Sequence, residues 1–283
     1  MSTGPIGITG ATGHIGGGVA RHLQGDGLPL RLLVRDPARA PQVPGAEVAR
    51  LSYDDPAAVE ALTGVETLFM VSAAEDAERV AQHRGLVEAA AEAGVRHIVY
   101  TSFVGAGESA GFLLGRDHGA TEDIIRATGL DHTFLRDNFY VEVWADFGGT
   151  DGVIRGPAAD GRMAAVSRRD VAAVAAHVLR DPGAHAGATY DLTGPEALTL
   201  TEVAEVLTRV TGRPHAFVDE TLEEARTSRS SYGAPDWLVD AWISTYTAIR
   251  DGELEHVSDD VPRLLGRPAL GFAEALAPSR MAV

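Results

Sequence analysis

Hydrophobic positions in the first half of the chain follow two alternating rhythms. Short apolar runs at "PIGIT" (5–9), "LPLRLLV" (28–34), "TLFMVS" (67–72), "HIVYTS" (97–102) and "DHTFL" (131–135) have the length and content of β-strands. Between them lie stretches with helical spacing. Ile15, Val19 and Leu23 recur every four residues ahead of Gly25 and Gly27, either of which can end the helix. Asp55, Pro56 and Gly64 mark the cap, first turn and stop of a short helix, and Val80, Val87 and Ala90 or Ala91 line a longer one that closes on Gly94. Strands and helices alternating in this way predict an α/β fold built on a doubly wound parallel sheet.

The texture changes after Arg136. "FYVEVWADFGGTDGVIRGPAADGRM" mixes aromatic residues, glycines and turns without a period, and is expected to begin a substrate-covering region. "SRRDVAAVAAHVLRDP" returns to a helix, capped by Ser167 and stopped before Pro182, and "ATYDL" reads as a strand; both are expected to rejoin the sheet. From Gly194 onward the pattern is mostly helical, opening with Thr199 and Glu202 at capping-box spacing and stopping at Gly212. The expected organisation is a sheet domain of residues 1–137 and 168–192, with a smaller, mostly helical lobe of residues 138–167 and 193–283.

The first strand runs into Gly10-Ala11-Thr12-Gly13-His14-Ile15-Gly16 and a helix follows at once. In a Rossmann unit the first glycine makes the tight turn, the second lets backbone approach a pyrophosphate and the third lets helix pack on strand. The helix N-terminus then offers unpaired N–H groups to phosphate, so the loop predicts a dinucleotide site. At the end of the second strand, where an NAD site generally places an acid, stands Arg35, with Arg39 further on and Asp36 between them. Arg35 can neutralise a 2′-phosphate, which favours NADP and leaves NAD open.

Composition removes several chemistries. There is no cysteine among 283 residues, and all 24 basic side chains are arginine. Disulfides, thiolate metal sites, a Walker A lysine, a Schiff base and a Tyr-x-x-x-Lys pair are therefore out of reach. A formal net charge of −16 argues against a nucleic-acid partner. No apolar run approaches the roughly 20 residues of a membrane span, the N-terminus lacks a signal pattern, and no metal-ligand spacing stands out. The expectation is a soluble, cytoplasmic protein without a metal.

"GITGATGHIG", "LVRDPAR", "GVRHIVYTS", "HGATEDIIRATGLDHTFLRDNFYVE" and "VSRRDVA" together resemble the NmrA-like atypical short-chain dehydrogenases, in particular their NADPH:quinone oxidoreductase type. The resemblance runs nearly end to end, and the "HxxxE…LR" segment discriminates better than the glycine loop. It implies a Rossmann core, a nicotinamide cofactor and a C-terminal lobe closing over the substrate. It puts Gly10, Ala11, Thr12, Gly13, His14 and Ile15 on the pyrophosphate, Arg35 on the adenosine phosphate, Val71 and Ser72 along the cofactor, and Ser102 and His118 near the nicotinamide. Ser52, Asn138 and Val143 depart from the residues common at their positions, an acid, a glycine and an asparagine respectively.

Where the wider superfamily keeps its Tyr-Lys pair, this chain reads Leu114-Gly-Arg-Asp-His118. His118 either hydrogen-bonds the nicotinamide ribose or shuttles a proton, or it only packs. A ketone needs an acid at its oxygen, whereas a quinone accepting hydride leaves a phenolate-type anion whose conjugate acid titrates near the phenol value of about 10. A quinone or quinone-like aromatic is therefore the expected substrate, and positioning can supply most of the acceleration. Phe139, Tyr140, Trp144 and Phe147 follow the last core strand; Trp144 and Phe147 read as lobe core, and Tyr140 as a substrate contact or core. "GESAG" (107–111) matches a nucleophile elbow, but Ser109 lies several residues beyond its strand, so a hydrolase is not expected. The alternative to an enzyme is a non-catalytic, NADP-binding redox sensor, which the missing Tyr-Lys pair would suit.

Overall fold

The computed structural model describes residues 4–277. The strands are β1 (Ile6–Thr9), β2 (Leu30–Val34), β3 (Glu47–Arg50), β4 (Thr67–Met70), β5 (His97–Phe103), β6 (Asp131–Asp137), β7 (Val153–Gly156), β8 (Arg162–Met163), β9 (Thr189–Leu192), β10 (Leu198–Thr199) and β11 (Ala216–Asp219). The helices are α1 (His14–Leu23), α2 (Ala58–Leu62), α3 (Arg79–Glu92), α4 (Leu113–Ala127), α5 (Val141–Phe147), α6 (Arg168–Arg180), α7 (Leu200–Thr211), α8 (Leu222–Arg229), α9 (Asp236–Arg250), α10 (Asp260–Leu265) and α11 (Phe272–Leu276). Two compact units emerge: one runs to Glu108 and adds Asp117–Arg136 and Val171–Asp191, and the other takes Ser109–Arg116, Asp137–Asp170 and the chain from Leu192.

The first unit is a Rossmann-type parallel sheet of seven strands in the order β3-β2-β1-β4-β5-β6-β9. Every residue of β1, β4 and β5 is buried, as expected of central strands covered on both faces, and this is why they read as largely apolar runs, interrupted only by buried polar residues such as Thr9, Thr101 and Ser102. Strand β3 was not anticipated. It lies at the sheet edge with only Ala49 partly buried, so no apolar periodicity announces it. The order reverses between β1 and β4, and in such sheets the crevice at the carboxyl ends beside the reversal is where ligands bind.

Helix α1 lies close against β1 because its first turns carry no side chains on the facing side. A Cβ at Gly16 would stand 2.5 Å from the carbonyl oxygens of Thr9 and Gly10, and one at Gly18 would stand 2.8 Å from the Ala172 Cβ of α6. Helix α2 begins later than Pro56: Asp55 Oδ1 accepts from the Ala57 N–H at 2.9 Å, and this local turn delays the helix to Ala58. Ser167 Oγ accepts from the Arg169 N–H at 3.1 Å at the start of α6, and Pro182 stands just beyond its end.

The second unit is mostly helical but carries two small sheets, β7 with β11 in parallel and β8 with β10 antiparallel. The stretch read as lacking a period thus contains β7 and β8; they are four and two residues long, too short to show one. Thr199 and Glu202 form the expected capping box, and α7 ends at Gly212 with φ +70°. Trp144 is fully buried, in edge-on contact with Phe139, Phe147 and Tyr246. Phe147, expected in the core, is 44% exposed because it ends α5 and touches the core along only one edge.

The clearance at Gly16 sets a prediction. Gly16→Ala must push α1 away from β1, which lowers the denaturation midpoint by an amount equivalent to roughly 1–3 kcal/mol; a melting or urea curve matching wild type would contradict the packing described.

Candidate active site

A cleft of about 330 Å³ opens at the carboxyl side of the sheet of the first unit. Gly10 and Thr12 form one wall, Leu33, Val34 and Arg35 the end of β2, and Leu51 to Asp54 the chain after β3. Residues Val71 to Ala74, after β4, complete it. Gly10 turns the chain with φ +62°, a left-handed conformation that glycine adopts without strain. Thr12, Gly13 and His14 are exposed, and no side chain caps the N-terminus of α1. Its first N–H groups and the helix dipole therefore face outward, as phosphate requires. Ala11 and Ile15 are buried, so only their backbone can serve a ligand. Thr12, Arg35, Asp36 and Arg39 line a neighbouring hollow in which two guanidinium groups are available to an anion.

The segment after β4 has left the sheet, so its backbone groups need other partners. Buried side chains supply them. The Val71 N–H donates to Thr9 Oγ1 at 2.8 Å, and the Val71 carbonyl accepts from the Tyr53 hydroxyl. The Ser72 N–H donates to Thr101 Oγ1 at 2.9 Å. The Ala73 N–H donates to His83 Nε2 at 2.8 Å, and the Ala73 carbonyl accepts from Arg79 Nε at 3.1 Å. One wall of the cleft is thus held by side chains from β1, the Tyr53 loop, β5 and α3.

These contacts settle the state of both histidines behind the wall. A backbone N–H and a guanidinium can only donate, so Nε2 of His83 and Nε2 of His118, 3.0 Å from Arg79 Nη2, must accept. Each ring then carries its proton on Nδ1. His83 gives it to Thr121 Oγ1 at 2.8 Å, His118 gives it to the Tyr100 hydroxyl at 2.9 Å, and Thr121 donates onward to the Asp117 carbonyl at 2.7 Å. Burial, reinforced by the Arg79 charge, pushes His83 down to about 3 and His118 well below the usual imidazole value. The buried Arg79 Nη1 approaches Asp117 Oδ2 at 3.7 Å without a hydrogen bond. His118 therefore does not match the expected proton shuttle: both ring nitrogens are engaged inside the protein, and the ring stays neutral.

The model of the NmrA-like family matches residues 2–227. The chain belongs to the NmrA-like family. It is 34% identical to the NAD(P)H azoreductase of Xenophilus azovorans, over 94% of this chain and 95% of that protein. The NADPH-dependent quinone oxidoreductase of Escherichia coli, solved in complex with NADPH, superposes with a TM-score of 0.87 at 34% identity, covering 95% of this chain and 98% of the other. The triphenylmethane reductase of a Citrobacter species, solved with NADP(H), superposes with a TM-score of 0.84 at 32% identity, covering 96% and 98%.

In this NmrA-like chain the "HxxxE…LR" segment has a physical meaning. Glu122 is 1% exposed and lies between two arginines, with Arg136 Nη2 at 2.7 Å and Arg126 Nη2 at 2.9 Å from its Oε2. Ser102, expected beside the cofactor, is 3% exposed and donates to Glu122 Oε1 at 2.6 Å, so its hydroxyl faces inward. At position 52, where the resemblance implies an acid, Ser52 Oγ donates to Asp54 Oδ1 at 2.5 Å, which puts a carboxylate on the cleft from two residues further on. Asn138 is buried with its amide tied to the Leu254 carbonyl and the Phe139 N–H. Val143 is partly buried on α5.

Tyr140 precedes α5 and donates its hydroxyl to Asp137 Oδ2 at 2.7 Å, while the Arg168 guanidinium stands 5.2 Å from its ring centroid. Sequence reasoning missed Tyr53, Arg79, His83, Tyr100 and Glu122 as parts of the site's support. A polar residue inside an apolar strand or mid-helix, such as Thr101 or His83, is a signal that could have found part of this support; Tyr53, in a loop, and Arg79, at the start of α3, carry no such signal. Among the described residues no group of three or more acids and histidines is placed to hold a metal, and no helix is long and apolar enough to cross a membrane.

Neutral buried histidines tie stability to pH. Once unfolded, each takes up a proton below about 6.5. Folded, His83 and His97 resist to about 3 and about 4. Their contribution is full above about pH 6.5 and is lost on acidification through the interval below it. Urea midpoints of the wild type should fall between about pH 6.5 and 5, and those of His83→Gln, which keeps an acceptor for Ala73, should fall less; equal slopes would contradict the assignment.

Proposed function

We propose that this chain is an NADPH-dependent oxidoreductase that reduces a quinone or a similar flat aromatic acceptor. The observation carrying the cofactor half of this reading is the hollow of Thr12, Arg35 and Arg39 beside the uncapped start of α1. Relatives solved with NADPH and NADP(H) support it. The residues present fit the cofactor: exposed N–H groups for the pyrophosphate, two arginines for the 2′-phosphate, and an apolar floor of Leu33, Val34 and Leu51 for the adenosine.

When bound, the reduced nicotinamide supplies hydride. The backbone of Gly10, Ala11, Thr12, Gly13, His14 and Ile15 receives the pyrophosphate. Arg35, aided by Arg39, selects the extra phosphate and disfavours NAD. Val71 and Ser72 present a fixed edge along the cofactor, because their backbone is already committed to Thr9, Tyr53 and Thr101. Ser102 and His118 support that end from behind: one anchors Glu122, the other joins Arg79 to Tyr100. The second unit is the substrate-binding lobe, and Tyr140 is its contact with the acceptor. The activity of the azoreductase and quinone oxidoreductase relatives supports acceptors of this class, and for a quinone the reduced anion is a phenolate, stable enough to need little acid catalysis.

Spectrophotometry of NADPH oxidation with a panel of quinones and azo dyes tests the reading, which predicts acceptor-dependent turnover faster with NADPH than with NADH. Tight NADPH binding with no turnover on any acceptor would favour the sensor instead. Arg35→Ala with Arg39→Ala should raise the KM for NADPH roughly tenfold to a hundredfold, the effect of losing charge-assisted hydrogen bonds, and leave NADH nearly unchanged. Equal effects on both cofactors would contradict the assignment.

A further inference from the structure

The cleft of the first unit does not end at its apolar floor. Ser52, Tyr53 and Asp54 follow Leu51 along its lining, and Asp76 and Gln82 stand on the same cleft. Tyr53, Asp54, Asp76 and Gln82 also line a groove of about 680 Å³ between α2 and α3, so the two spaces meet along these four residues. Asp55, Glu78, Glu88 and Glu92 line the groove as well, and among the described residues no arginine does.

The partners of each polar group at this junction define what it can offer. The Tyr53 hydroxyl is turned inward, to Thr9 Oγ1 at 2.7 Å and to the Val71 carbonyl, so its ring is what faces the space. Asp76 Oδ1 accepts from the Glu78 N–H at 2.8 Å. Asp54 Oδ1 accepts from the Ser52 hydroxyl at 2.5 Å, and Asp54 Oδ2 has no partner in another described residue. The Ser52 hydroxyl, aided by the Asp54 N–H, holds this exposed carboxyl below the usual carboxylate range. Ionised, it can only accept hydrogen bonds. The partly buried Gln82 carries an amide with both a donor and an acceptor, which turns to present either one.

We propose that Asp54, braced by Ser52, selects adenine as the base of the bound dinucleotide by accepting a hydrogen bond from its exocyclic amino group. This rests on the cofactor reading above. The base is attached to the ribose whose 2′-phosphate Arg35 receives, so it belongs on the floor of Leu33, Val34 and Leu51, with its polar edge toward the chain just past Leu51. Adenine presents on that edge an amino donor beside a ring-nitrogen acceptor. Asp54 serves the first and Gln82 the second. Hypoxanthine has a carbonyl in place of the amino group and a proton on the ring nitrogen, which reverses both roles. Gln82 turns to follow that change, whereas an ionised carboxylate cannot. The hypoxanthine oxygen would meet Asp54 acceptor to acceptor, and the carboxylates of the adjoining groove give it no donor. Ser52 acts by occupying Oδ1, which leaves Oδ2 as the oxygen for the base.

Isothermal titration of the full chain with NADPH, and with its deamino analogue that carries hypoxanthine and keeps the 2′-phosphate, reads this choice without turnover. Wild type should bind the analogue roughly tenfold more weakly, the low end for a hydrogen bond to a charged group because Asp54 is exposed. Asp54→Ala should lose affinity for NADPH but little for the analogue, so the preference disappears. Asp54→Asn, which can turn an amide N–H toward the carbonyl, should bind the analogue more tightly than wild type does, a gain that no damage to the fold would produce. Arg35→Ala is the contrast: it should weaken both dinucleotides alike and keep the preference. Equal binding of the two dinucleotides by wild type, or a preference that survives Asp54→Ala and Asp54→Asn, would overturn the assignment while the cofactor reading stands. Wild type binding neither dinucleotide would remove both.

Discussion

Strand β4 ends at Met70, and the three residues that follow have no neighbouring strand to satisfy them. The site depends on how that problem is solved. Water could have done it, at the expense of a mobile edge. Instead Thr9, Tyr53, Thr101, His83 and Arg79 reach the backbone of Val71, Ser72 and Ala73 from inside. Most of these groups are themselves tied further in: Thr9 to the Phe69 carbonyl, Tyr53 to Thr9, His83 to Thr121, and Arg79 through His118 to Tyr100. A buried network of this kind is worth having only when it is complete, because one unpaired member is penalised heavily in a low-dielectric interior. Here every group that reaches Val71, Ser72 and Ala73 makes its bond, and Arg79 Nη1 alone is left with only the Asp117 carboxylate at 3.7 Å, so the cleft wall is fixed before any ligand arrives, which lowers the ordering cost of binding.

The same arrangement decides what the central residues cannot do. His118 and His83 accept from obligate donors, so neither is free to titrate in the neutral range. Glu122 is saturated by Arg126 and Arg136 and anchors Ser102. The interior of the first unit thus holds its buried charges, Arg79 and Glu122, in fixed hydrogen-bonded positions, while the positive charge facing a ligand is that of Arg35 and Arg39, with Asp36 and Asp54 beside them.

Much of the sheet was legible in the sequence because its central strands are buried on both faces and therefore read as largely apolar runs. Glycine at 10, 13 and 16, a strand before and a helix after made the loop readable for a similar reason: each glycine answers to a local geometric demand. Strand β3 was not legible, since an edge strand with polar faces has no hydrophobic period. The supporting network was hidden for a different reason. Thr9, Tyr53, Arg79, Thr101 and His118 lie in five separate segments, and no local pattern says that they converge. His118 could be picked out by its position in the chain, but only its partners reveal that both its nitrogens are taken.

Hydrogen–deuterium exchange at the amides of Val71, Ser72 and Ala73, in the protein free of cofactor, tests the idea of a pre-set cleft wall most directly. These amides should exchange as slowly as those of the central strands β4 and β5, opening only with the whole sheet, and NADPH should change them little. Rapid exchange that slows only when NADPH is added would show that the ligand, and not the buried network, orders the wall.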